Sequence, residues 1–528
     1  MRRLQQPEFT EACDPRGRKP LFLIATVWAT SVSRPRMWIV GVALLAAATL
    51  AAAADDRTGT AGIDKLVADA LAAWEVPGAA VVIVTRDRVV NLNGYGRREL
   101  GHNEPVTADT IFPLASCTKA FTTTLLAMLA DEGKLRWDDR VRTHWPEFHL
   151  ADPLADAEVT LRDLLTHRTG VASHDLLWYC SPLSPEELVR RVGKLPLERS
   201  FRTAFQYQSV MYTAAGLAAG RAGGSTWQDL VERRIFVPLG MMSARTSTPE
   251  RSQNLATPHR PDREGRLRVI PWYVQRQPNA AGSVHASARD LAAWLQLQIG
   301  DGTYHGRRLV SAENLAETHT PQFALRLDGI VKESNPDTLQ MSYGLAWVIQ
   351  DYRGHLLVSH AGTIDGFRAH VTLLPRDGCA LAILANRHHT RMNLALSNML
   401  VDHLLGLPAK DWHSVFRGIV RQEEAAKKST RERRDRERRA GTRPSRPLSE
   451  YAGVYENPAY GRATVTLSDG RLHWDWSGFQ VMLEHYHADT FVASDENLDD
   501  PLIDFSVDPR GGVSGFTFLN LKFRRLPG

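Results

Sequence analysis

Ser116 and Lys119, three residues apart in "IFPLASCTKAFTTTLLAML", are the pair whose types and spacing point most directly to chemistry. On a helix such residues share a face, so a helix opened by Ser116 sets a hydroxyl beside an amine, a possible nucleophile beside a base. Unpaired N–H groups and the helix dipole at that end would stabilise an oxyanion formed on an attacked carbonyl. The amine can take the serine proton only where burial or a cationic neighbour lowers its pKa from about 10.4. Serine is also a common helix N-cap and lysine a common surface residue, so S-x-x-K alone more often marks a plain capped helix. Two further stretches add to it. "FQYQS" places Tyr207 just before a helix of small residues, and "SHAGT" places His360 and Gly362 on or beside a strand, where a missing side chain lets a ligand approach the backbone.

The elements that must hold these residues alternate along the chain. "GIDKLVADALAAW" has apolar residues at helical spacing, and "GAAVVIVTRDRVVNLNGYG" reads as two β-branched strands joined around "TRDR". "LRDLLTHRTG" predicts a helix ending at Gly170, and "SVMYTAAGLAAGRAGG" and "ARDLAAWLQLQIGDG" predict two more. "HLLVSHAGTIDGFRAHVTLLPRDGCALAILANR" is a set of strands split by Gly362, Gly366 and "PRDG". Strands at both ends with helices between them predict one mixed sheet assembled from distant pieces. From about Trp412 to Pro447 the chain turns highly charged, with opposite charges four apart (Glu423 with Lys427, Glu432 with Arg436). That is a solvated helix acting as a linker, or alternatively a basic segment touching an anionic surface. Residues 448–528 alternate apolar and polar positions with frequent turns, a small all-β unit in which Trp474 and Trp476 share one strand face and fill its core.

The chain has 528 residues, 43% hydrophobic and 23% charged, an ordinary globular balance with room for two domains. Much of the net charge of +5 comes from the charged segment, so nucleic-acid binding is not inferred. The four cysteines (Cys13, Cys117, Cys180, Cys379) show neither C-x-x-C pairing nor metal-ligand spacing, and no cofactor is expected. Arg34 and Arg36, the apolar run Trp38 to Leu50, and Ala52 to Ala54 together form an export signal, with an uncleaved membrane anchor as the alternative. A periplasmic or secreted protein, or a membrane-anchored one, follows. Since residues 1–36 precede this signal, translation from Met37 is the expectation. The domains then read as 1–54 extension and signal, 55–411 main domain, 412–447 linker and 448–528 β-domain.

From about Gly62 to Pro408 the chain resembles the serine hydrolases of the penicillin-binding protein and class C β-lactamase superfamily. The phrases "PLASCTKAFT", "GKLRWDDRV", "LRDLLTHRTG", "FQYQSVMY", "AGSVHASARDLAAWL", "YGLAW" and "HAGTIDGF" carry the resemblance, in the family's order. It implies an α/β (α+β) fold, with an antiparallel sheet flanked by helices and a helical subdomain. The terminal unit resembles the small β-barrel-like domain often appended to this family. The resemblance also implies an acyl-enzyme on Ser116, with Lys119 and Tyr207 moving protons and the backbone N–H groups of Ser116 and Thr363 forming an oxyanion hole. Ester, peptide or β-lactam-like substrates are implied, bound by Ser209, His360 and Gly362. His360 stands where β-lactamases commonly carry lysine, so the pocket should offer at most a partial, pH-dependent positive charge to a substrate carboxylate, which favours an esterase or D-amino-acid peptidase. Ser209 stands where the family's Y-x-N motif has asparagine, a departure that also feeds the alternative of an inactive binding or scaffold protein.

Other residues read more plainly. His167 is a structural polar residue at a helix end, Cys117 a small buried thiol, and His388 and His389 surface residues. Trp178 and Tyr179 either line the pocket or simply pack.

Overall fold

The computed structural model describes residues 60–250 and 254–527. The expected signal, and the Met37 start with it, lie outside the described residues. Among the described residues no helix is long and apolar enough to cross a membrane.

The strands predicted around "TRDR" are β1 (Gly78–Thr85) and β2 (Val89–Gly96). They join β3 (Phe323–Leu325), β4 (Met341–Tyr343), β5 (Val348–Tyr352), β6 (His355–Ile364), β7 (Phe367–Leu374) and β8 (Cys379–Ala385). The sheet order is β2-β1-β8-β7-β6-β5-β4-β3. Every pairing is antiparallel, as the resemblance implied; the expected mixture of strand directions is absent from this sheet. β1 is buried on both faces because its side chains alternate. Ala79, Val81 and Ile83 meet helices α1 (Thr60–Ala73) and α5 (Met392–Leu405). Ala80, Val82 and Val84 join the core that contains α2 (Thr118–Asp131), α3 (Ser209–Gly223) and α4 (Ala288–Ile299).

Three local expectations are corrected. The helix after Pro113 does not open at Ser116: Ala115–Cys117 form a 3₁₀ turn and α2 starts at Thr118. Ala115 takes a positive φ of 46°, a conformation that disfavours any residue with a Cβ, so the backbone ahead of Ser116 is strained rather than capped. The "LRDLLTHRTG" helix stops at Leu165, five residues before Gly170, and His167 itself turns left-handed at φ 55°. The charged segment is one helix, α6 (Trp412–Glu437), yet Trp412, Phe416 and Ile419 are buried beside α5, so its first turns belong to the main domain's core rather than to a linker.

Residues 453–525 close into an eight-stranded antiparallel barrel whose strands follow chain order, the first (Gly453–Asn457) pairing with the last (Leu521–Arg525). Trp474 and Trp476 point inward, 0% and 2% exposed, with ring centroids 5.6 Å apart. The barrel touches the main domain at the 174–180 segment and again where Arg260, Arg263 and Arg268 meet Asn497, Asp500 and Glu496. The Tyr460 hydroxyl is 2.8 Å from His174 Nδ1, and a Cβ on Gly478 would fall 2.2 Å from the Cys180 carbonyl oxygen.

Candidate active site

The 3₁₀ turn presents Ser116 to a cavity of about 480 Å³, also lined by Tyr207, Ser209, Asn279, His360 and Thr363. Lys119, in the first turn of α2, is wholly buried and donates to Ser116 Oγ at 3.1 Å and to the Ala281 carbonyl at 3.0 Å. Burial pushes its amine down to about 7, with the charge of Asp175 opposing. Near neutral pH the amine therefore exists in both forms, and the neutral form can accept the Ser116 proton.

α2 carries polar residues on a buried face because they clamp a distant loop. Thr122 Oγ1 donates to the Ala280 carbonyl at 2.7 Å, and Thr118 Oγ1 accepts from Val284 N–H at 3.0 Å. With Lys119 on Ala281, these bonds fix residues 279–284 as one wall of the site. The phrase "AGSVHAS" marked this loop in the sequence, but its role is played by main-chain carbonyls that no residue type announces.

Tyr207 precedes α3, its ring centroid 4.9 Å from Lys119 Nζ. Burial pushes its phenol above the ordinary value, opposed by a hydrogen bond with Ser116, so at neutral pH it is a protonated donor. His167, expected only as a structural polar residue, lies directly behind it, with ring centroids 4.3 Å apart, and its Nδ1 accepts the Gln208 N–H at 3.1 Å. Arg202 reinforces the loop leading to Tyr207 by donating to buried Asp163 at 2.7 Å. Ser209 is the first residue of α3 and faces the cavity.

Opposite stands β6. A Cβ on Gly362 would fall 2.1 Å from the Leu114 carbonyl oxygen and 3.3 Å from Ser116 N. The close approach this glycine permits is thus by the chain's own nucleophile turn, not by a ligand, and it brings Thr363 beside Ser116. β5 pairs with β6 only over His355–Ser359, which leaves 360–364 without a partner strand on the cavity side among the described residues. His360 is buried; its Nδ1 donates to the Ala361 carbonyl at 2.7 Å, and its Nε2, the acceptor in that tautomer, is 3.4 Å from the Tyr343 hydroxyl. Burial first, and the Lys119 charge second, push the imidazole down to about 3. The expected partial positive charge is therefore corrected: His360 is neutral across the physiological range. Cys117 points away from the cavity, donating to the His360 carbonyl at 3.3 Å.

Trp178 lines the cavity, whereas Tyr179 stacks on Tyr273 at 5.2 Å and hydrogen-bonds Asp365. A larger cleft of about 770 Å³ opens beyond Asp175, Trp178 and Thr363 but contains neither Ser116 nor Lys119. His388 lines it and accepts the Gly366 N–H at 3.2 Å, so it is not the surface residue expected. Sequence reasoning missed Asp175, which carried no motif signal.

Known proteins resemble this chain. The family model described as Beta-lactamase matches residues 63–405, and a second, Domain of unknown function (DUF3471), matches 437–527. An unguisins hydrolase of Aspergillus violaceofuscus is 27% identical over 468 residues, covering 82% of each chain. Penicillin-binding protein 4 of Amycolatopsis lactamdurans is 28% identical over 322 residues, 59% of this chain and 81% of that one. Among solved structures, the octameric penicillin-binding protein homologue from Pyrococcus abyssi aligns with a TM-score of 0.59 at 20% identity, over 88% of this chain and 99% of that one. A class C beta lactamase from Rhodobacter sphaeroides aligns at 0.52 and 20% identity, over 65% and 98%. With the family match running from α1 through α5 and so containing the whole constellation around Ser116, the chain belongs to the beta-lactamase family.

Proposed function

We propose that this protein is a serine hydrolase that cleaves esters or amides through an acyl-enzyme on Ser116. The observation that carries the reading is the buried Lys119 amine, 3.1 Å from Ser116 Oγ and held near neutrality. Lys119 takes the hydroxyl proton as Ser116 attacks, and the backbone N–H groups of Ser116 and Thr363 receive the developing oxyanion. Tyr207 passes a proton to the leaving group and then helps activate the water that deacylates the enzyme. The unpaired edge at 360–364 suits an extended substrate, which can add to it as a strand.

A neutral His360 offers no cation to a carboxylate, which favours an esterase or D-amino-acid peptidase over an efficient β-lactamase. The relative named as an unguisins hydrolase supports hydrolysis as the activity. Export, to the periplasm or beyond the cell, rests on the pattern of residues 34–54. The test is incubation with a fluorescent penicillin and, separately, a p-nitrophenyl ester, with any adduct located by peptide mass spectrometry. A covalent adduct on Ser116, absent from Ser116→Ala, is the expected result; no adduct and no turnover with either probe would overturn the reading.

A further inference from the structure

One side chain at the cavity's mouth enters the chemistry above only through its field on Lys119. Asp175 sits where the cavity around Ser116 meets the larger cleft, lining both, so a substrate entering from the cleft passes it. It is exposed and has no ion-pair partner among the described residues; its carboxylate oxygens accept from Ser173 Oγ at 2.9 Å and Trp178 Nε1 at 2.7 Å. In the outer cleft, by contrast, most charges are paired, Arg260 with Asp365 at 3.2 Å, Arg263 with Asp500 at 3.0 Å and Arg431 with Asp499 at 2.9 Å, with Glu424 and Lys427 outside these pairs.

The inner cavity has no compensating cation. Asp175 is the one charged side chain among its lining residues, and the imidazole of His360 is engaged by Ala361 and Tyr343. The Lys119 amine behind the wall is turned to Ser116 and Ala281. The carboxylate is held in place as well as exposed. It begins the short turn Asp175–Leu177, which Tyr460 of the barrel anchors through His174 at 2.8 Å, and its bond to Trp178 closes that turn.

We propose that Asp175 sets the charge specificity of the acyl site, favouring substrates that carry an ammonium group close to the scissile bond and disfavouring those with a carboxylate there. The inference rests on the serine-hydrolase reading and narrows its substrate class to amine-bearing esters or amides. With no cation paired to it, the carboxylate attracts one kind of substrate and repels the other, so the two effects multiply in the ratio of their rates.

The test uses the full chain and two rigid esters of similar shape, the p-nitrophenyl esters of p-(aminomethyl)benzoate and of terephthalate. The wild type should prefer the cationic ester by kcat/KM, and Asp175→Asn, which keeps an acceptor for Trp178 Nε1, should cut that preference on the order of tenfold. Should the variant not fold, the wild type still decides, because the preference must shrink as salt is raised toward about 1 M. A ratio that moves neither with the substitution nor with salt, in an enzyme that labels at Ser116, overturns the role of Asp175 alone. Absence of both turnover and labelling overturns the hydrolase reading and this one with it.

Discussion

The Nζ of Lys119 lies 3.1 Å from the Oγ of Ser116, yet the lysine side chain is entirely withdrawn from solvent. Desolvation disfavours its charged form, which is why its pKa falls to about 7. The base is competent only when deprotonated, so acylation should accelerate as pH rises through about 7 and level off above. Below that value the rate should fall roughly tenfold per pH unit. His360, already neutral above about 3, and Tyr207, which ionises only above its ordinary range, add no limb between them. Stopped-flow acylation by a neutral p-nitrophenyl ester across pH 5 to 9 checks this; a flat profile would remove Lys119 as the base.

Replacing Tyr207 by phenylalanine keeps the ring that packs on His167 at 4.3 Å and removes only the hydroxyl. Loss of a positioned proton carrier should slow acylation by about 10²–10⁴-fold while thermal stability stays within about 1 kcal/mol. The informative readout is the split between the two: a variant of full rate would exclude the phenol from proton transfer, and one of low rate and low Tm would point to a packing role.

Much of this arrangement was legible in the sequence because it depends on side-chain type and period. Ser116 with Lys119, Tyr207 before a small-residue helix, the β1–β2 hairpin and the inward tryptophans of the barrel all declare themselves that way. What was not legible depends on backbone placed by distant contacts. The Ala281 carbonyl that receives Lys119 lies 162 positions along the chain, and nothing in an alanine marks it as an acceptor. The 3₁₀ turn at Ser116, with Ala115 at a positive φ and Gly362 of β6 packed closely against it, departs from the capping preference of serine. His360 looked like a pH-dependent cation because its type suggests one; burial decides otherwise. Asp175 gave no signal because an aspartate in a loop is ordinary until a cavity is shown to end at it.

Gly362 is held by space rather than by conformation, since it needs no positive φ. A methyl group there would sit 2.1 Å from the Leu114 carbonyl oxygen, and backbone on both sides leaves no flexible atom to give way. Gly362→Ala should therefore push β6 and the Ser116 turn apart, costing roughly 1–3 kcal/mol of stability. It should also cost acylation rate, because the Thr363 N–H moves away from the nucleophile. Urea unfolding and active-site labelling report the two effects separately. Wild-type behaviour in both would mean that the turn and strand adjust freely, and that the oxyanion hole is not built across this contact.

The role of the barrel is best approached through Trp412. A cut after Ala409 looks like a clean removal of the linker and barrel, but it also removes Trp412, Phe416 and Ile419 from the core beneath the sheet. Trp412 is 1% exposed, and its Nε1 donates to Asp402 Oδ2 at 2.7 Å. Trp412→Ala should thus destabilise the main domain by about 3–5 kcal/mol with the barrel still attached. Trp412→Phe, which fills most of the volume and loses the hydrogen bond, should cost less. Calorimetry on the two variants checks this, and a Trp412→Ala protein of unchanged Tm would show that α6 contributes nothing to the core. With the predicted loss, truncation would confound instability with loss of a cap. The barrel's influence on turnover would then have to be read from its contacts instead, at Tyr460 with His174 and Gly478 with Cys180, where the main domain's core is left intact.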